Sequence, residues 1–130
     1  MKRVLPDYRE KQKILNIDQN SREALIAYGQ KFSNANRLFD ALEFYRKAKH
    51  RPGLEEIMEV AISFGDSMLF EQSAKALGRA PSAEEWNRVG RRAFDLKKYL
   101  FARYAFERGH NDAMLEEIRK VAAGGDVLAV

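Results

Sequence analysis

Apolar residues at 25, 28 and 32, and again at 38, 41, 42, 45 and 48, recur at intervals of three and four. That spacing gives an α-helix one buried face, and no stretch shows the strict alternation of a strand. Turn-forming residues separate the periodic segments: Ser33-Asn34, Arg51-Pro52-Gly53, Gly65-Asp66, Ala80-Pro81-Ser82, Gly109 to Asp112, and Gly124-Gly125. Ser82 followed three residues later by Glu85 has the form of a capping box, which fixes one helix start. The pattern predicts an all-α chain in one domain over 1–130. It has an N-terminal helix at about 7–17, hairpins at about 22–50, 54–80 and 83–110, a capping helix at about 113–123 and a tail at 124–130.

The segments repeat. Leu54-Glu55-Glu56-Ile57-Met58-Glu59-Val60-Ala61 recurs, at i and i+61, as Leu115-Glu116-Glu117-Ile118-Arg119-Lys120-Val121-Ala122. The same offset carries Leu25 to Trp86, Gly29 to Gly90, Ala41 to Ala102 and Tyr45 to Phe106. Such an offset suits two helical hairpins, and a half-period can be aligned within it. One set is Leu25, Tyr28, Gly29, Phe32, Leu38, Ala41, Tyr45 and Ala48. A second is Ile57, Val60, Ala61, Phe64, Phe70, Ser73, Leu77 and Ala80, and a third is Trp86, Val89, Gly90, Ala93, Tyr99, Ala102, Phe106 and Gly109. The sets start at Leu25, Ile57 and Trp86, so the spacing is 32 and then 29, and the second, with Ala61 and Ser73, is the most divergent.

Large and small residues in this order resemble the tetratricopeptide-repeat signature over roughly residues 22 to 122. The resemblance implies a right-handed superhelix of helical hairpins that binds other proteins and carries no catalytic centre. It also implies a groove lined by first helices, one position past the signature residues. Those positions are Ile26 and Gln30, Met58 and Ile62, and Asn87 and Arg91, with Ser33, Gly65 and Phe94 one turn on and Arg88 beside them. An apolar middle with basic and amide groups in the third repeat suits a peptide or helix bearing apolar anchors and an acidic residue. The carboxylate-clamp subfamily, which holds chaperone tails, is matched only at Arg88 among Ile26, Gln30, Ile62, Glu84 and Arg88.

Charge adds little to this picture. The net charge is +4, with both signs interleaved. The densest basic run, Arg46, Lys47, Lys49, His50 and Arg51, suits a helix C-terminus. With Arg88, Arg91, Arg92, Lys97 and Lys98 it keeps nucleic acid as a minor alternative. Self-assembly through solenoid ends or the apolar tail Val127-Leu128-Ala129-Val130 is another. His50 and His110 fall at the ends of second helices and have no partner at metal-ligand spacing, and no metal or cofactor is expected. The pairs Glu55-Glu56, Glu84-Glu85 and Glu116-Glu117 occupy first turns, where adjacent side chains diverge, so they do not form an acid and base pair. Trp86 takes a core position, and Phe39, Phe44, Phe101 and Tyr104 either pack between repeats or stand exposed. There are no cysteines, no apolar run long enough for a membrane span, and no signal-peptide stretch after Met1-Lys2-Arg3, which together suggest a cytoplasmic chain.

Overall fold

The computed structural model describes residues 5–16 and 21–124. Among these there are eight helices and no strand. They are α1 (Tyr8–Asn16), α2 (Arg22–Asn34), α3 (Leu38–Ala48), α4 (Arg51–Phe64), α5 (Ser67–Leu77), α6 (Ala83–Asp95), α7 (Tyr99–Arg108) and α8 (Asp112–Ala123). Ile17, the expected end of the first helix, and the tail residues 125–130 lie outside the described residues. None of the described helices is long and apolar enough to cross a membrane.

Helix starts are set by local chemistry. The Ser21 hydroxyl accepts from the Ala24 amide at 3.1 Å, and the Asn111 carboxamide accepts from that of Met114 at 3.1 Å. Asp66 accepts from the Met68 and Leu69 amides at 3.1 and 3.0 Å. Ser82 and Glu85 form the complete capping box that their spacing predicts. Each such cap is worth about 1 kcal/mol.

Left-handed backbone conformations mark the turns. Asn36, Gly65 and Lys97 have φ of 61°, 63° and 61°, each at the connection inside a helix pair. Lys49, Gly78 and His110 have φ of 53°, 72° and 52°, each just after a second helix. Both series advance by 29 and then by 32, as do the helix starts Arg22, Arg51 and Ala83. From helix start to closing left-handed residue each pair spans the same length, so the three extra residues are Arg79-Ala80-Pro81 alone.

This register corrects the 32-then-29 alignment. Arg51-Pro52-Gly53 does not separate helices; it forms the first turn of α4, where a proline lacks only an amide hydrogen that would be unpaired anyway. The second set therefore slides three residues toward the N-terminus. Leu54, Met58 and Ala61 take the positions of Leu25, Gly29 and Phe32, and Phe70, Ala74 and Leu77 those of Ala41, Tyr45 and Ala48. All six are buried.

The chain divides into two compact units, Met1–Ile57 and Met58–Val130. In the first, α2 packs along α3. Phe44 stacks on Phe32 and Tyr28 at centroid distances of 5.3 and 5.6 Å. Gly29 lets the helices close, since a Cβ there would lie 2.5 Å from Cε1 of Tyr45. α1 is tied to α3 by Lys11, only 6% exposed, whose ammonium donates to Asp40 at 2.7 Å and Glu43 at 2.8 Å. Burial acts to lower the Lys11 pKa, but these two carboxylates outweigh it and raise it.

In the second unit, α6 packs on α7, α7 on α8, and α5 on both α6 and α7. Ala93, Ala102, Phe106 and Ile118 form a buried cluster, covered by Phe94, Phe101, Met114 and Leu115. A Cβ on Gly90 would sit 2.7 Å from the Phe106 ring, which repeats the Gly29 and Tyr45 arrangement. Trp86 is a core residue, edge-on to Phe70 at 4.9 Å and to Tyr104 at 6.0 Å. Of the aromatics off the signature, Phe44 is buried, Phe101 and Tyr104 are half-buried, and Phe39 is 49% exposed.

Candidate functional site

The C-terminal halves of α4 and α6 border an open cleft of about 470 Å³ in the second unit, lined by Ile62, Ser63, Arg88, Arg91, Arg92 and Asp95. α6 supplies its charged wall. Residues 88, 91, 92 and 95 follow the helical three-and-four spacing, so three guanidinium groups and one carboxylate share a stripe. The opposite face of α6 carries Trp86, Val89, Gly90 and Ala93 into the core, which leaves the charged stripe outward.

The three arginines differ in what holds them. Arg92 donates from Nε to the Ser63 carbonyl at 2.8 Å, and Lys98 donates to that of Phe64 at 2.6 Å. Both satisfy carbonyls at the end of α4 that lack an intrahelical donor, where positive charge is favoured. Arg88 pairs with Glu59 at 3.5 Å, and both side chains are about half exposed or more, so the pair is weak. Arg91 is exposed and has no ion-pair or hydrogen-bond partner among the described residues. Ile62, 7% exposed, is the apolar floor. A carboxylate or phosphate entering here meets forked donors with little of its own charge opposed by the walls.

Of the groove residues expected from the sequence, Ile62, Arg88 and Arg91 come together in this cleft. Met58 does not: it is 3% exposed, its sulfur accepts from Nη2 of Arg79 at 3.4 Å, and the corrected register places it where Gly29 and Gly90 stand. The exposed residues one position past Leu54 and Met58 are Glu55 and Glu59, in place of the apolar groove middle. Phe94 packs on the α6–α8 core and lies edge-on to Tyr99 at 5.5 Å. Asn87 is half-buried and donates to the Gly109 carbonyl at 3.4 Å. Gly65 is buried and its turn abuts the Ala93 backbone. In the first unit, Ile26 and Ser33 are half-buried and Gln30 is exposed on α2. Ser63, Arg92 and Asp95 join Ile62, Arg88 and Arg91 in the cleft although they are not among the expected groove positions; the 88, 91, 92, 95 spacing is the sequence signal for the last two.

The basic run near the end of α3 shapes a separate feature of the first unit. Arg46, Lys47 and Lys49, with Gln12, Leu15, Asn16 and Glu43, line an open cleft of about 540 Å³ between α1 and α3. His50 faces the Tyr45 ring at 5.3 Å. A third polar cluster closes on itself. The Tyr104 hydroxyl donates to both oxygens of Glu71 at 2.7 and 2.8 Å, and Arg108 pairs with Glu71 at 3.3 Å while lying 3.4 Å over the Tyr104 ring. Burial and the Glu71 carboxylate raise the Tyr104 pKa, so the hydroxyl keeps its proton and the cluster serves as a lock between α5 and α7.

No family model matches the chain, and no curated protein or solved structure matches it.

Proposed function

We propose that this chain is a non-enzymatic cytoplasmic adaptor of the tetratricopeptide-repeat type, with its helix pairs continuing as a right-handed superhelix, and that it binds an acidic segment of a partner protein. The observation that carries the reading is the cleft on α4 and α6, where Arg88, Arg91 and Arg92 converge over Ile62. Forked guanidinium donors recognise carboxylates in pairs, and an apolar floor beneath them accommodates the aliphatic part of a peptide. The recurrence of left-handed turns in one register supports the repeat reading. The test is fluorescence anisotropy of a labelled decapeptide rich in Asp and Glu, titrated with the wild type and with an Arg88→Glu, Arg91→Glu variant of confirmed helicity. Reversal is expected to weaken binding at least about tenfold, because two attractive charges become repulsive. Equal binding by both proteins removes the reading.

The Arg46, Lys47 and Lys49 cleft favours a second reading, a nucleic-acid module. It requires binding of single-stranded RNA at low salt that falls steeply as salt rises. No binding at low salt excludes it.

A further inference from the structure

Exposed large apolar side chains, taken singly, are ordinary on a protein surface. Their placement here is not. Among the described residues they are Tyr8, Phe39, Phe64, Met68, Leu96 and Leu100. Apart from Tyr8, all fall on two positions of the repeat register. Phe64 and Leu96 stand at i and i+32, each immediately before a left-handed turn residue, Gly65 or Lys97. Phe39, Met68 and Leu100 follow at intervals of 29 and 32, each second in its helix α3, α5 or α7. The turns at Gly65 and Lys97, both in the second unit, are therefore each flanked by two exposed apolar residues four apart, one on either side.

The end of α4 is held against the end of α6 at three points. Arg92 binds the Ser63 carbonyl, Lys98 binds that of Phe64, and the Cβ position of Gly65 lies 2.5 Å from Cα of Ala93. Phe64, 45% exposed, is thereby fixed beside the turn that carries Leu96, 39% exposed, and Leu100, 43% exposed. Ser63 and Asp95 line the arginine cleft, and the next residues along the chain are Phe64 and Leu96. These exposed apolar residues therefore stand at the same end of α4 and α6 as the cleft, one residue beyond its lining. Lys97 is exposed beside Leu96 and has no partner among the described residues, so positive charge continues along the edge.

We propose that Phe64, Met68, Leu96 and Leu100 extend the arginine cleft as a second half of one recognition track, whose occupant is a partner-protein segment with acidic residues followed by bulky apolar ones. This rests on the cleft reading above. Charge complementarity with Arg91, Arg92 and Lys97 orients the acidic part, and the adjacency of Phe64 and Leu96 to the cleft lining brings the apolar part onto the turn edge.

Three labelled peptides test it by anisotropy. One has four acidic residues followed by Leu and Phe, the second has Ser in place of Leu and Phe, and the third keeps Leu and Phe but has Lys in place of the acids. The wild type is expected to bind the first at least about tenfold more tightly than the second, the gain of covering one or two apolar side chains. A Phe64→Ser, Leu96→Ser variant, at sites exposed enough to leave the helical signal and thermal midpoint nearly unchanged, is expected to erase that difference and keep the affinity for the second peptide. Arg91→Glu is expected to weaken both. Equal affinity of the wild type for the first two peptides overturns the edge while leaving the cleft reading intact. Failure of both acidic peptides to bind overturns both readings. Tight binding of the lysine peptide overturns the charge-directed track. Concentration-dependent dimerisation in sedimentation, abolished by the double serine variant, reassigns the edge to a second copy of the chain and overturns the proposal.

Discussion

In the α2–α3 and α6–α7 pairs a glycine on the first helix receives an aromatic ring from the second, Gly29 with Tyr45 and Gly90 with Phe106. The α4–α5 pair reverses the assignment. Its register puts Met58 at the glycine position and Ala74 at that of the ring, both buried. Ala61 and Phe70 likewise reverse Phe32 and Ala41, and all four are buried. By register, each pair then carries one bulky and one small side chain at the level where Gly29 meets Tyr45, and the bulky one need not come from the same helix. A close-packed interior requires filled volume and is indifferent to which backbone supplies it.

The comparison can be broken most severely at Met58. Met58→Gly removes a buried side chain and adds a helical glycine, and is expected to cost about 3–5 kcal/mol in urea unfolding. Adding Ala74→Phe, which recreates the glycine-and-ring order, is expected to return about 1–2 kcal/mol. A double variant no more stable than the single one shows that these two positions are not complementary.

Next in size are the glycines themselves. Gly29→Val and Gly90→Val are each expected to cost about 2–3 kcal/mol, because the ring opposite must move and the interior is already full. The two losses should agree within about 1 kcal/mol, as the tightest contacts, 2.5 Å and 2.7 Å, are alike. Tolerance at one site alone, seen as an unchanged thermal midpoint, separates the two pairs.

The smallest effect belongs to the linkers. A single residue separates Lys49 and His110 from the helix that follows, whereas Gly78 is followed by Arg79-Ala80-Pro81 before the Ser82 cap. This added length is clipped: Arg79 donates from Nη1 and Nη2 to the two oxygens of Glu85 at 2.9 Å each. The Arg79 hydrogen bond, against some burial and helped by Ser82, holds the Glu85 carboxyl down to about 2. A depressed carboxylate stabilises the fold fully above its ordinary value of 4.5 and loses that contribution as pH falls toward about 2. After solvent screening the loss is on the order of 1 kcal/mol. Thermal melts across this window should show a larger acid loss in the wild type than in Arg79→Gln, where only the Ser82 bonds still hold the carboxyl down. An equal acid slope in both proteins removes the clip from the account.

Much of the fold was legible in the sequence, and the misreading has one physical origin. The helical periods, the Ser82 and Glu85 capping box, and the long offset from Leu54 to Leu115 are features of single helices or of pairs related by the full double unit. The half-period depended on locating the extra three residues. Pro52-Gly53 and Pro81-Ser82 carry similar turn chemistry, yet the first lies within the opening turn of α4 and the second does not. A break placed at Pro52-Gly53 moves Met58 from the inner face, where it is buried, to the outer. The cleft was half legible for the same reason: Arg88 and Arg91 belong to a helix whose register the Trp86 and Gly90 positions fix, whereas Met58 belongs to the helix that slid. The apolar edge was hidden because Phe64 stood in the misaligned set as a signature residue, and the positions of Leu96 and Leu100 become recurrent only once the turns align.

The tripeptide Arg79-Ala80-Pro81 also has a practical meaning. Every other connection from α2 to α8 contains a left-handed residue at a fixed distance from a helix start, so an added residue there would shift every following side chain relative to its neighbours. At Ala80, which is exposed, the chain already tolerates a different length between one pair and the next. An epitope tag or fluorophore-bearing cysteine introduced there would report on the molecule while leaving the helix pairs, the arginine cleft and the apolar edge in their native form.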